Sequence, residues 1–179
     1  MVLWPKAYDS LQNKALPILE GLRLAWERMQ PCEIEVLMAF GETTTWFQTL
    51  PEDLRRHCTL SEKVSRTEVL KMMSESRVML APAISDGVPN SMYEAMAAGA
   101  FPIVSPLETI TPVVENESNV LFARNLYPQE IADALTRAMN DDKLVDEAAE
   151  RNLVLVSRIA DRNKIRPRVL DFYEALAGL

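Results

Sequence analysis

DGVPNSMYEAMAAGAFPIVS, residues 86–105, decides how the rest of this chain is read. A loop containing Gly87, Pro89 and Asn90 gives way to helix formers from about Ser91 to Ala98, and Gly99 supplies the stop. Phe101–Ser105 then forms a short, continuous apolar run of strand length. Upstream, RVMLAP supplies another strand, expected over Arg77–Ala81, with a loop from Ala83 to Asn90. The unit is strand, loop, helix, strand. It sets two carboxylates, Asp86 and Glu94, at the mouth of a sheet beside a helix N-terminus, where unpaired N–H groups and the helix dipole favour phosphorylated ligands.

The same alternation continues in both directions. Met1–Trp4 reads as a buried strand stopped by Pro5, and a strand at the extreme N-terminus raises the expectation of a piece cut from something longer, a natural start being the alternative. A helix is expected over Ala15–Gln30, with Ile18, Leu19, Leu22, Ala25, Trp26 and Met29 on one stripe and Pro17 in the first turn. Glu33–Phe40 is a second strand by its β-branched and apolar content, broken by Gly41. Glu42–Leu54 is the hardest part to read: three consecutive threonines disfavour a regular helix, and Pro51 opens a short one. A weak strand follows at His57–Leu60, then a capping box, Ser65 with Glu68, starting a helix over Arg66–Glu75.

Beyond Ser105 the pattern predicts a one-turn helix at Thr111–Glu115, a sixth strand at Asn119–Ala123 and helices from Pro128, with a break at Asp141 and a closing helix at Asn163–Leu176. Strands alternating with helices imply parallel pairing through right-handed crossovers. The expected fold is α/β: a Rossmann-like, doubly wound sheet of six parallel strands ordered 3-2-1-4-5-6. Its ligand crevice falls at the carboxyl ends of the first and fourth strands. The loops Lys6–Lys14 and Ala83–Asn90 meet there.

Composition narrows the function. The 179 residues suffice for one domain, 1–179, with a real core, and 48% apolar with 25% charged residues is globular. A net charge of −7 without a basic cluster argues against nucleic acid as a partner. The two cysteines, Cys32 and Cys58, lie far apart beside expected strands, which fits free thiols in a reducing cytoplasm. No apolar run approaches the ~18 residues of a membrane span, so no transmembrane segment is expected. With one histidine and no His or Cys cluster, no metal ligands are expected either.

The crevice suits only some ligands. A dinucleotide site fails, because the first loop, PKAYDSLQNKA, holds no glycine to let the backbone approach a pyrophosphate. The second loop offers Gly87, Pro89 and Asn90, followed by the N–H groups of residues near Asn90–Tyr93, a setting for a diphosphate.

At these residues the chain resembles the family 4 (group 1) glycosyltransferases of GT-B fold, whose nucleotide-sugar motif has an acidic residue, seven others and a glutamate before A-M-A-x-G. Asp86, seven residues and Glu94 match that spacing. SRTEVLKMMSESRVMLAPAISDG and ENESNVLFARNLYPQEIADAL resemble the flanking segments, so the likeness covers nearly the whole chain. It implies the donor-binding C-terminal half of a retaining enzyme, one half of a GT-B fold. The partner it implies is an N-terminal acceptor-binding domain outside this sequence. No tightly bound cofactor is implied; a nucleoside-diphosphate sugar is the donor substrate.

By the same resemblance Glu94 accepts from the ribose hydroxyls, and backbone N–H groups of Asn90, Ser91 and Met92 hold the diphosphate. Asp86 faces the transferred sugar. Lys14 stands where the family has a lysine, with Lys6 in place of the preceding arginine, and both neutralise the departing diphosphate. The sequence departs from the pattern in having Asp at position 86 where Glu is common, no Arg-x4-Lys spacing, and Pro5 in place of a glycine.

Plainer roles stand beside these. Ser91 and Glu94 form a capping-box pattern, Asp86 fits an Asx-turn with Val88, and Lys6 and Lys14 fit solvated surface lysines. A second functional reading is a nucleotide-binding or interaction subunit that pairs with a separate acceptor-binding chain. An epimerase of similar fold needs an acid and base pair that this sequence does not offer.

Overall fold

The structure, a computed structural model, describes residues 1–178. In chain order the elements are β1 (Val2–Trp4), α1 (Ala15–Trp26), β2 (Ile34–Leu37), α2 (Glu42–Phe47), α3 (Glu52–Arg56), β3 (Cys58–Ser61), α4 (Arg66–Glu75) and β4 (Val78–Ala81). They continue with α5 (Asn90–Ala98), β5 (Phe101–Val104), β6 (Leu121–Phe122), α6 (Pro128–Asn140), α7 (Asp142–Ile159) and α8 (Arg162–Ala177). All six strands are parallel, in the order β3-β2-β1-β4-β5-β6. This is the expected doubly wound sheet.

Alternation along the strands divides the core in two, because successive side chains point to opposite faces. Val2, Trp4, Ile34, Val36, Val78, Leu80, Phe101 and Ile103 pack with α1 and α6 on one face. Leu3, Leu37, Met79 and Val104 pack with Met73 of α4 and Met92, Ala95 and Met96 of α5 on the other. On the first face α1 and α6 run so close that a Cβ placed on Gly21 would lie 2.6 Å from Cγ2 of Ile131.

Several boundaries moved for identifiable reasons. The α1 helix ends at Trp26 rather than Gln30, the chain turning as Arg28 N–H donates to Ala25 O. The β2 strand stops at Leu37, since Met38 turns into the left-handed region at φ 58°. The threonine run is helical after all, as α2: Gly41, at φ 63°, precedes it, Thr44 Oγ1 donates to Gly41 O at 2.7 Å, and Thr43 and Phe47 are buried. Burial of Phe47 and Leu50 outweighs the few tenths of a kcal/mol per threonine by which propensity opposes a helix, roughly. The Thr111–Glu115 segment forms hydrogen-bonded turns rather than a helix, and β6 shrinks to two residues beside a bridge from Asn116 to Val120. The capping box at Ser65 forms as read, with Ser65 N–H donating to Glu68 Oε2 at 3.1 Å and Glu68 N–H to Ser65 Oγ at 3.3 Å.

The α8 helix stands apart from both clusters: none of its residues is buried, and Val169, Leu170, Phe172, Tyr173 and Leu176 are exposed. No helix among the described residues is long and apolar enough to cross a membrane.

Candidate functional site

The first strand has β2 on one side and β4 on the other, so the loops leaving β1 and β4 turn toward opposite faces and leave a crevice between them. A cleft of about 70 Å³ opens there, lined by Lys6, Tyr8 and Asn13 from the first loop and by Ser85, Asp86, Pro89 and Ser91 from the second. It is far smaller than the ~300 Å³ of pockets that enclose a whole small molecule. It has room for one anchoring group rather than a whole ligand.

Buried amides hold the two loops in place. Asn125, just past β6 and 2% exposed, accepts from Lys14 N–H at 3.1 Å through Oδ1. Its Nδ2 donates to Pro82 O at 2.9 Å and, at 3.2 Å each, to Lys14 O and Asn13 Oδ1. Asn13 in turn donates to Lys6 O and Tyr8 O, both at 2.9 Å, folding the β1 loop back on itself. Ile84 N–H donates to Gln12 O at 2.7 Å, which ties the second loop to the first. Ser105 completes the frame, its hydroxyl accepting from Ala83 N–H and donating to Ala123 O, each at 3.0 Å.

Across this frame Lys6 Nζ lies 3.7 Å from Asp86 Oδ2. Asp86 thus faces a cation from the opposite loop rather than making the Asx-turn with Val88, while its backbone carbonyl accepts from Thr109 Oγ1 at 2.9 Å. Gly87 has no atom within 4 Å of where a Cβ would sit and does not need a positive φ, so the space above its backbone is open.

The α5 helix starts at Asn90, one residue earlier than expected, with Pro89 as its cap and no capping side chain. Asn90 and Ser91 N–H groups find no acceptor among the described residues, whereas Met92 N–H donates back to Pro89 O at 3.0 Å. Of the three amides expected to hold a diphosphate, two therefore stand free. The Met92 side chain is fully buried in the core.

Glu94 does not close the helix end as a cap. Its Oε1 accepts from Arg66 Nη2 at 2.6 Å, across the gap between α5 and α4. Lys14 is directed elsewhere: Nζ donates to Asp9 Oδ1 at 2.7 Å, and Asp9 Oδ2 accepts from Ala15 N–H at 3.2 Å at the start of α1. Lys14 is not among the residues lining the cleft.

Sequence reading missed Arg66, Tyr8, Asn13 and Asn125. Arg66 was hidden by its place as the first residue of a well-capped helix. Tyr8 lines the cleft and stacks on Phe40 from the β2 loop, ring centroids 5.9 Å apart at 8° between planes. The two asparagines left a signal only as polar residues in short loops beside apolar runs.

Comparison with known proteins bears on the fold and the family. Among curated proteins, the N,N'-diacetylbacillosaminyl-diphospho-undecaprenol alpha-1,3-N-acetylgalactosaminyltransferase of Campylobacter jejuni is 24% identical over 110 residues, 62% of this chain but only 29% of its own length. Among solved structures, sucrose-phosphate synthase of Thermosynechococcus elongatus superposes with a TM-score of 0.82 at 17% identity, over 99% of this chain and 45% of the synthase. Anabaena HepE in complex with UDP-glucose gives 0.79 at 15% identity, over 99% of this chain and 49% of HepE. The C-terminal domain of LpcC, a glycosyl transferase group 1 family protein of Francisella tularensis, gives 0.75 at 14% identity, over 88% and 84%. The chain thus has the fold of one half of a GT-B protein and spans less than half of the full-length relatives. The model of one family, "Glycosyl transferases group 1", matches residues 41–153, well over half of the sequence including the whole Asp86 to Glu94 motif, and the chain belongs to that family.

Proposed function

We propose that this chain is the donor-binding half of a retaining glycosyltransferase and that it holds a nucleoside-diphosphate sugar in the cleft between the β1 and β4 loops. The observation that carries the reading is the meeting of Lys6, Asp86 and Ser91 around one small cleft, at the start of a helix whose Asn90 and Ser91 N–H groups are free. In this reading the diphosphate takes the two amides and the open backbone at Gly87. Fixed N–H dipoles and a nearby ammonium stabilise the charge that grows on the diphosphate as the glycosidic bond breaks.

Lys6, already at the cleft, supplies that ammonium directly. Lys14 would have to leave Asp9 to join it. Asp86, 3.7 Å from Lys6, orients the hydroxyls of the transferred sugar. Glu94 takes the ribose, on the α4 side of the diphosphate. The acceptor site, and with it turnover, belongs to a second domain facing the carboxyl edge of the sheet. Met38, Phe40, Ile84, Leu126 and Tyr127, all from loops at that edge, are exposed apolar side chains that a facing domain would cover.

Calorimetric titration of the 179-residue chain with UDP, GDP and ADP and their sugars tests the reading. One nucleotide should bind, weakened by Glu94→Ala and by Lys6→Ala, and no sugar should be transferred. A panel in which none binds at millimolar concentration, or binding indifferent to Glu94→Ala, sinks it.

A further inference from the structure

Arg66 is exposed over 78% of its side chain, yet it makes a single, short hydrogen bond, to Glu94. An ion pair this open to water adds little to stability. Its geometry nevertheless selects between the two oxygens of the carboxylate. Nη2 takes Oε1 at 2.6 Å, and Oε2 has no partner among the described residues. The two residues come from different elements, Arg66 from the first turn of α4 and Glu94 from the middle of α5, so the bond fixes the carboxylate relative to both helices. Glu94 is 28% exposed on its side chain, enough for a ligand to reach and too little for the carboxylate to swing freely.

We infer that Arg66 is a positioning residue for the nucleoside: by occupying Oε1 of Glu94 it leaves Oε2 as the oxygen that accepts from a ribose hydroxyl, and so sets the preference for ribonucleotides. An ionised carboxylate accepts only, and a charge-assisted bond from a rigid guanidinium holds it in one orientation, so the ligand need not pay for ordering it. A lysine at position 66 would supply the charge without the planar fork. The guanidinium's other donors have no partner among the described residues.

This inference rests on the reading of Glu94 as a ribose ligand, and one experiment separates the two. Whichever of UDP, GDP and ADP binds the unaltered chain is titrated beside its 2′-deoxy and 3′-deoxy forms. The unaltered protein should prefer the ribonucleotide over one deoxy form by about tenfold or more, the value of a hydrogen bond to a charged group. Arg66→Ala should cut that ratio to threefold or less, chiefly by weakening the ribonucleotide, and Arg66→Lys should keep part of it. Glu94→Gln should abolish it. Melting curves of the Arg66 variants should match the unaltered protein, since Arg66 is on the surface.

An undiminished ratio in Arg66→Ala, tighter binding by that variant, or equal weakening of both nucleotide forms overturns the positioning role while leaving Glu94 in place. A ratio insensitive to Glu94→Gln, or no nucleotide binding at all, overturns both readings.

Discussion

Replacing Asn125 by alanine should loosen the candidate site from behind, without touching any ligand. The side chain is 2% exposed and makes four hydrogen bonds, to Lys14 N and O, Pro82 O and Asn13 Oδ1. Truncation leaves the Lys14 N–H and the Pro82 carbonyl without partners, and each orphaned buried group costs about 1–3 kcal/mol. A water entering the vacated space would satisfy some of them, so the expected loss is about 3 kcal/mol. For a chain of this length that lowers the thermal midpoint by roughly 6–12 °C. Urea unfolding followed by circular dichroism, beside a thermal scan, measures it. Asn125→Asp provides the control: Oδ1 still accepts from Lys14, but a second oxygen now faces three oxygens. Burial raises that carboxyl's pKa above its unfolded value, so its penalty is present at neutral pH and disappears as acid protonates it. A midpoint within 2 °C of the unaltered protein for Asn125→Ala, or a pH-independent Asn125→Asp, would refute the claim that this amide holds the two loops together, about 3 kcal/mol being far beyond that.

Three further outcomes can be checked. Gly21→Ala should destabilise although alanine favours a helix by about 1 kcal/mol, because the new methyl lies 2.6 Å from Ile131 and overpacking costs about 1–3 kcal/mol; urea titration measures the net loss. Gly87→Ala should leave the thermal midpoint unchanged or slightly raised, since a Cβ there meets nothing, and should weaken nucleotide binding if the ligand approaches that backbone; equal affinity of the two proteins by calorimetry would contradict the approach. Burial, aided by neighbouring Glu33, pushes the Glu35 carboxyl above the usual glutamate range against a smaller opposing effect of Thr59. The charged form is thus penalised in the folded state, the cost growing as pH rises through the ordinary glutamate value and complete above the raised one. Glu35→Gln should therefore raise the melting temperature at neutral pH and give no gain in acid below the ordinary glutamate value, as a pH series of thermal scans will tell.

The sheet was legible because each strand is a short apolar run and each helix a periodic one, so parallel pairing followed from alternation and crossover rules and the strand order from the usual doubly wound pattern. Elements governed by local chemistry came out at their boundaries: α4 by its capping box and α6 by Pro128 and Asp141. The α2 helix was misread because its threonines speak against a helix and only tertiary burial of Phe47 overrules them. The cleft was legible as two loops, since topology brings Lys6–Lys14 and Ala83–Asn90 together whatever their side chains. The pairings inside it were not. Whether Lys14 reaches the cleft or Asp9, and whether Glu94 caps its own helix or meets Arg66, turns on rotamers and on elements 28 residues apart in sequence, which spacing does not encode.

The bareness of α8 has a kinetic consequence. With no buried residue, it is held by terms near its ends: Asp161 accepting from Asn163 N–H at 2.9 Å, Lys164 Nζ donating to Ser157 O of α7 at 2.6 Å, and Gly178 closing the other end at φ 70°. Pro167 removes one interior bond, and an isolated helix of 16 residues is marginal in water. Amide protons of residues 162–177 should therefore exchange with deuterium through local fraying within seconds to minutes, while those of β1 and β4, buried between two helical layers, wait for the whole sheet to open. In this chain the last helix and the sheet would report two separate opening events, and denaturant would speed only the second.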